Sequence, residues 1–239
     1  MVKGIKVRRF MILKVLFMLL SLSTLLSGCL TARQTTDLAY VNDTEIASLS
    51  STVSLKYASP DRNISGSGYI MYRQPDQIRV VLLSPFGSVL QDVYVSGDQV
   101  TVIDTGNGIV FSGSYADLPD KGDFSGWRHI HWLMDIDQPG RSRATAAIQR
   151  INRFGQPETV VFENGLLVSK TTAEGGHASY ARYTTVQGAV LPLEIVYETA
   201  AKELFTILLE EPEVNVVFAD TAFTPNVGKH PVYPLSRLR

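Results

Sequence analysis

The chain has 239 residues, 45% of them hydrophobic, with 22 basic and 23 acidic residues and a formal net charge of −1. The first 28 residues hold five of the basic residues and none of the acidic ones, so residues 29–239 carry 17 against 23, a net of −6. That balance gives no electrostatic ground for nucleic-acid binding, which demands clustered Lys and Arg, nor for a broad polybasic membrane patch. The remaining length suits one all-β domain.

The leader carries Lys3, Lys6, Arg8, Arg9 and Lys14, followed by the apolar run Val15-Leu16-Phe17-Met18-Leu19-Leu20 that continues weakly polar to Leu26. Charge, then an apolar stretch, then small residues is the layout of a secretory signal. The stretch is shorter than the ~20 residues that span a bilayer. Leu26-Ser27-Gly28-Cys29 ends it with the single cysteine of the chain. This segment resembles the bacterial lipoprotein signal, which implies that Cys29 is acylated and becomes the mature N-terminus. Residues 1–28 are therefore expected to be removed, and 29–45 to form a lipidated tether. An acylated Cys29 leaves no thiol for a disulfide, thiol catalysis or a cysteine-bound metal. Two or more acyl chains suffice for stable attachment to a membrane. Leu30 rather than Asp follows the cysteine, which by resemblance to common sorting behaviour permits export to the outer membrane.

From Ile46 the pattern alternates with period two, as in Thr52, Ser54 and Lys56 against Val53, Leu55 and Tyr57. Strands are predicted at 50–57, 64–72, 78–83, 89–95, 100–103 and 109–111, separated by turn residues such as Pro60-Asp61, Gln74-Pro75-Asp76 and Ser96-Gly97-Asp98. Gly66 and Gly68 thin the second strand and suggest a bend or bulge. Between Leu118 and Asp137, Phe124, Trp127, Ile130, His131 and Met134 recur at helical spacing, and Pro139-Gly140 ends the stretch. Strands resume at 144–148, 158–162, 166–172, 179–186, 190–198, 204–209 and 214–218, with Asn164-Gly165 a two-residue hairpin signal. Sequential hairpins imply one antiparallel sheet of about eleven strands, which must curl or close. Residues 225–239, with Pro225, Pro231 and Pro234, read as an unpacked tail.

Four stretches in this order resemble the LolA/LolB-like lipoprotein-localisation family. They are Gly68-Tyr69-Ile70-Met71-Tyr72 with Ile78-Arg79-Val80; Leu83-Ser84-Pro85-Phe86-Gly87-Ser88; Trp127-Arg128-His129-Ile130-His131-Trp132-Leu133; and Gly188-Ala189-Val190-Leu191-Pro192-Leu193-Glu194-Ile195 leading to Ala222-Phe223-Thr224-Pro225. The likeness covers most of residues 48–225. It implies a mainly β fold with an α lid, an incomplete antiparallel β-barrel over 46–224 whose short helical segment packs in or over a concave face that takes acyl chains. The tail and the segment 141–153 depart from the family pattern.

Ser84-Pro85-Phe86-Gly87 fits a type I turn that projects Phe86 from its tip. An exposed aromatic there serves a membrane or a partner, or else folds back on the sheet edge. The resemblance implies a membrane-contact loop of Pro85, Phe86 and Gly87. Trp127, Ile130 and Met134 form either a lid over a cavity or an ordinary apolar helix stripe on a solid core. His129 and His131 lack a third ligand at metal spacing. Tyrosines 57, 69, 72, 180, 183 and 197 are spread over several strands as half-buried sheet residues. No nucleophile elbow, phosphate loop or other recognisable acid–base constellation is present. The expectation is a non-enzymatic lipoprotein, without metal or cofactor. It would be anchored in the outer membrane through Cys29, facing the periplasm, and would bind acyl chains or lipidated proteins for transfer to the membrane. The alternative is an assembly or structural lipoprotein that grips a protein partner, by strand addition at an open sheet edge.

Overall fold

The computed structural model describes residues 44–119, 125–137 and 145–238. The leader, Cys29, the tether to residue 43, Phe124 and Pro139-Gly140 lie outside them. One sheet contains thirteen strands. In chain order these are β1 (Ser48–Ala58), β2 (Asn63–Arg73), β3 (Gln77–Leu83), β4 (Val89–Ser96), β5 (Gln99–Asp104), β6 (Ile109–Ser114), β7 (Ala146–Ile151), β8 (Pro157–Glu163), β9 (Leu166–Thr172), β10 (His177–Val186), β11 (Ala189–Glu198), β12 (Leu204–Val214) and β13 (Val232–Pro234). Their spatial order is β13-β6-β5-β4-β3-β2-β1-β12-β11-β10-β9-β8-β7. Every pair is antiparallel except β13 on β6. The end strands β7 and β13 do not pair, so the sheet is an incomplete barrel.

The alternation read from sequence sets the two faces. Leu49, Val53, Leu55 and Tyr57 of β1 point inward with Ile70 and Tyr72 of β2, Ile78 and Val80 of β3, Val93 and Val95 of β4, and Ile207 and Leu209 of β12. Asn164 and Gly165 sit at φ 54° and 80°, the left-handed pair that a tight β8–β9 hairpin needs. The bulge expected in β2 is absent, for its register with β1 and β3 is unbroken. Gly68 serves close approach instead. A Cβ there would lie 1.8 Å from the Val81 carbonyl oxygen.

The strand predicted at 204–209 runs on to Val214, and no separate strand forms at 214–218, since residues 215–218 are not strand. β12 has a register shift against β1 between Ser50 and Thr52. Glu211, at φ 50°, and Pro212 occupy that bulge, where proline costs no ladder bond. The helical stretch is shorter than its apolar stripe suggests. A 3-10 turn at Ser125–His129 leads into α1 (Ile130–Met134). All five residues of α1 are buried. So short a helix is held by packing rather than propensity.

The tail is corrected most. It is packed rather than free. Just ahead of the tail, Phe223 is buried on the convex face beneath the Arg73 guanidinium, which lies 4.8 Å from its ring centroid. Arg79 donates to both Asp92 oxygens at 2.9 and 2.8 Å and to the Ala222 carbonyl at 3.2 Å. Val227 packs on Tyr94, Ile103 and Val110. β13 then borders β6, and Leu235 enters the main core at 0% exposure. Its prolines suit an edge strand, where a missing N–H is tolerated. Leu235→Ala is expected to cost about 2–5 kcal/mol in urea unfolding, as for a buried leucine. A change within about 0.5 kcal/mol, typical of a surface position, would return the tail to solvent.

Candidate functional site

The concave face is filled beneath α1 but open at one end. There, β1, β2, β3, β12 and the loops after β3 and β5 surround a cavity of about 920 Å³. That lies at the upper end of the range for ligand pockets, about 300–1,000 Å³. Leu55, Tyr57, Ile64 and Leu82 supply apolar wall, and Trp127 and Phe205 close the inner end with ring centroids 5.9 Å apart. Gln91, Asp104, Asn107 and Arg62 bring polar groups to the same cavity. Trp127 is fixed from behind, because its carbonyl accepts the Tyr115 hydroxyl at 2.9 Å. Gly126 lets this backbone reach Phe205, since a Cβ would lie 2.5 Å from the ring.

The β3–β4 loop forms part of the rim. The Gly87 N–H donates to the Ser84 carbonyl at 2.9 Å, the closure the turn reading requires, and the Ser84 and Ser88 hydroxyls bond at 2.7 Å. Phe86 at the tip is 97% exposed and does not fold back on the sheet. Val89 and Leu90 are exposed beside it, and Pro85 and Leu90 line the cavity itself. Pro85 and Trp127 thus share one site. Ile130 and Met134 do not line it. Both are buried in the core, so of the three lid candidates one faces the cavity and two are packing.

A buried polar cluster behind α1 went unread in the sequence. Lys170 of β9, 0% exposed, donates to the carbonyls of Trp132 (3.3 Å) and Asp135 and lies 3.9 Å from Asp137. The Trp132 indole donates to Glu158 at 2.6 Å, and Arg150 bridges Glu158 and Asp137, each at 2.7 Å. Tyr180 donates to the Leu133 carbonyl at 3.1 Å. Burial pushes the Lys170 ammonium below its usual range, against the pull of Asp135, Asp137 and Glu158. No sequence motif marks these residues. The faint signal is one lysine at an inward position of an otherwise ordinary strand.

The two histidines part company. His131 Nε2 donates to the Asp76 carbonyl at 2.9 Å, and its ring stacks between Tyr115 and Phe154 at 5.0 and 5.8 Å. His129 lies against Tyr197 at 4.6 Å. Among the described residues no three His, Cys, Asp or Glu are placed to hold a metal. Nor is any helix among them long and apolar enough to cross a membrane.

By sequence, no family model and no curated protein matches the chain. By structure, it is similar to a LolA superfamily protein from Nitrosomonas europaea, with a TM-score of 0.54 and 14% identity over 77% of this chain and 93% of that one. A DUF1329 family protein from Desulfovibrio piger gives a TM-score of 0.57 and 12% identity over 76% and 90%. A putative outer membrane lipoprotein-sorting protein domain from Vibrio parahaemolyticus gives 0.55 and 7% over 77% and 92%. The chain has the LolA/LolB-like fold.

Burial of His129 lowers its pKa from 6.5 to about 4. The unfolded chain therefore binds a proton between those values that the folded chain refuses, and stability falls as pH drops through that window, by up to about 3 kcal/mol. Urea midpoints of the wild type should decline more steeply between pH 7 and about pH 4.5 than those of His129→Gln. Parallel declines would mean that His129 titrates normally.

Proposed function

We propose that this protein is a periplasmic lipoprotein, held to the outer membrane by acyl chains on Cys29. It would take acyl chains, or the acylated ends of other proteins, into its cavity and release them to the membrane. The carrying observation is the apolar cavity of about 920 Å³ opening beside an exposed phenylalanine loop. The lipoprotein-type leader and the LolA-like fold support the same reading. The task needs no catalysis, metal or cofactor. It needs only an affinity for lipid that lies between those of donor and membrane. One observation favours a partner-gripping role: β7 ends the sheet order, and its Ile151 is 65% exposed.

The mature chain carrying Cys29→Ala is the reagent that tests this. Burying about 300 Å² of tail contributes about 7–8 kcal/mol gross before binding costs. A fatty acid or apolar dye is expected to bind with about micromolar affinity, close to −8 kcal/mol. Calorimetry that detects no binding would favour the partner-gripping role.

Phe86→Glu in the same chain should leave stability within about 1 kcal/mol, as expected of a solvated tip. It should also weaken association with liposomes in a flotation assay. Preserved folding with undiminished association would make Phe86 a bystander.

A further inference from the structure

The cavity has a definite inner end and an unfilled wall. Trp127 and Phe205 meet across it, both buried, with ring centroids 5.9 Å apart. Behind them His129, Tyr197 and Trp132 pack ring against ring at 4.6 and 5.9 Å, and beyond these lies the Glu158 carboxylate bound to the Trp132 indole. An apolar chain that passed the Trp127–Phe205 pair would have to displace that packing and then desolvate a paired charge, which is costly.

Gly66 lines the same cavity from β2, on the inward row that carries Ile70 and Tyr72. A Cβ at Gly66 would meet nothing within 4 Å, in contrast to Gly68 two residues on. No close approach and no positive φ asks for glycine at 66. What its missing side chain leaves is space. A methylene takes about the volume of a water molecule, roughly 30 Å³. A cavity of about 920 Å³ thus has room for one or two long chains, and each large side chain added to its wall would remove the room of several methylenes.

We propose that Trp127 and Phe205 form an end stop that sets the length of acyl chain the cavity accepts, and that the bare backbone at Gly66 provides the room in front of it. This rests on the lipid-binding reading above and adds a length selection to it. In the wild-type mature chain with Cys29→Ala, affinity for saturated fatty acids from about 8 to about 18 carbons should rise about fourfold per methylene, until the tail reaches the stop, and then level off.

Gly66→Phe fills open space on a strand, where aromatic residues are favoured. It should move the plateau several carbons shorter. Phe205→Ala removes one half of the stop and should move it longer. Circular dichroism establishes that each variant is folded, and if Phe205→Ala is not, Gly66→Phe alone decides. Fatty acids that bind the wild type, with a plateau unmoved in a folded Gly66→Phe, overturn the end stop and leave the lipid-binding reading standing. A wild type that binds no chain of any length overturns both.

Discussion

The concave face of the sheet is larger than the helix that covers it. The sheet has thirteen strands and α1 contributes only five residues, so the helix can seal only part of the concave surface. Apolar area left in water costs about 25 cal/mol per Å² relative to burial, and an ordinary domain would cover it. Here the Leu55, Tyr57, Ile64 and Leu82 end stays open. The β3–β4 loop adds Phe86, and the start of β4 adds Val89 and Leu90, to the exposed apolar surface at the same end instead of shielding it. Apolar surface concentrated in one place, on a chain that otherwise buries its core well, marks a site of contact rather than a packing failure.

That partial cover has to be held in one position, and the polar cluster behind α1 does so. The C-terminal carbonyls of a helix carry partial negative charge and attract a cation. Lys170 meets the carbonyls of Trp132 and Asp135 from the sheet, Tyr180 meets that of Leu133, and the Trp132 indole is bound from the far side by Glu158. Buried charges of this kind stabilise little by themselves, because desolvation offsets their attraction. They exclude alternatives, however. If α1 slid along the sheet, Lys170 and Glu158 would lose partners with no water to replace them. The position of Trp127, and with it the inner end of the cavity, therefore depends on contacts made on the other side of the helix.

Much of this fold was legible because its strands alternate. β1 to β6 lie within two residues of the spans expected at nearly every boundary, and Asn164-Gly165 marks its hairpin through the φ values it adopts. Reading failed where local pattern and tertiary role separate. Glu210-Glu211-Pro212-Glu213 looks like a strand end because a bulge absorbs its proline, and the ladder continues to Val214. The tail reads as solvent-bound because its prolines are frequent, while its buried residues, Leu235 and Leu238, are too few to show any periodicity. Gly66 and Gly68 look alike in sequence and differ in cause, one facing open space and the other a carbonyl oxygen. For the site, the turn chemistry of Ser84 to Gly87 placed Phe86 at a loop tip but left open whether it folds back on the sheet edge. Nothing announced Lys170, whose partners Trp132, Asp135 and Asp137 lie more than thirty residues away in a segment that does not pair with its strand.

A carrier must also let go, and the composition of the cavity bears on how. Its wall is apolar toward Trp127 and Phe205 and polar toward Gln91, Asp104 and Asn107. A chain lying in it would bury its far end and keep its near end beside polar groups and solvent. Each methylene left uncovered forfeits about 0.8 kcal/mol of transfer free energy. The bilayer covers every methylene, so a chain partly housed here gains by moving there. Full enclosure would remove that preference and with it the drive for release. On the proposed function, the short lid and the polar rim are thus as necessary as the apolar floor. On the same proposal, the Phe86 loop at the cavity rim would be where the uncovered end of a chain meets the membrane.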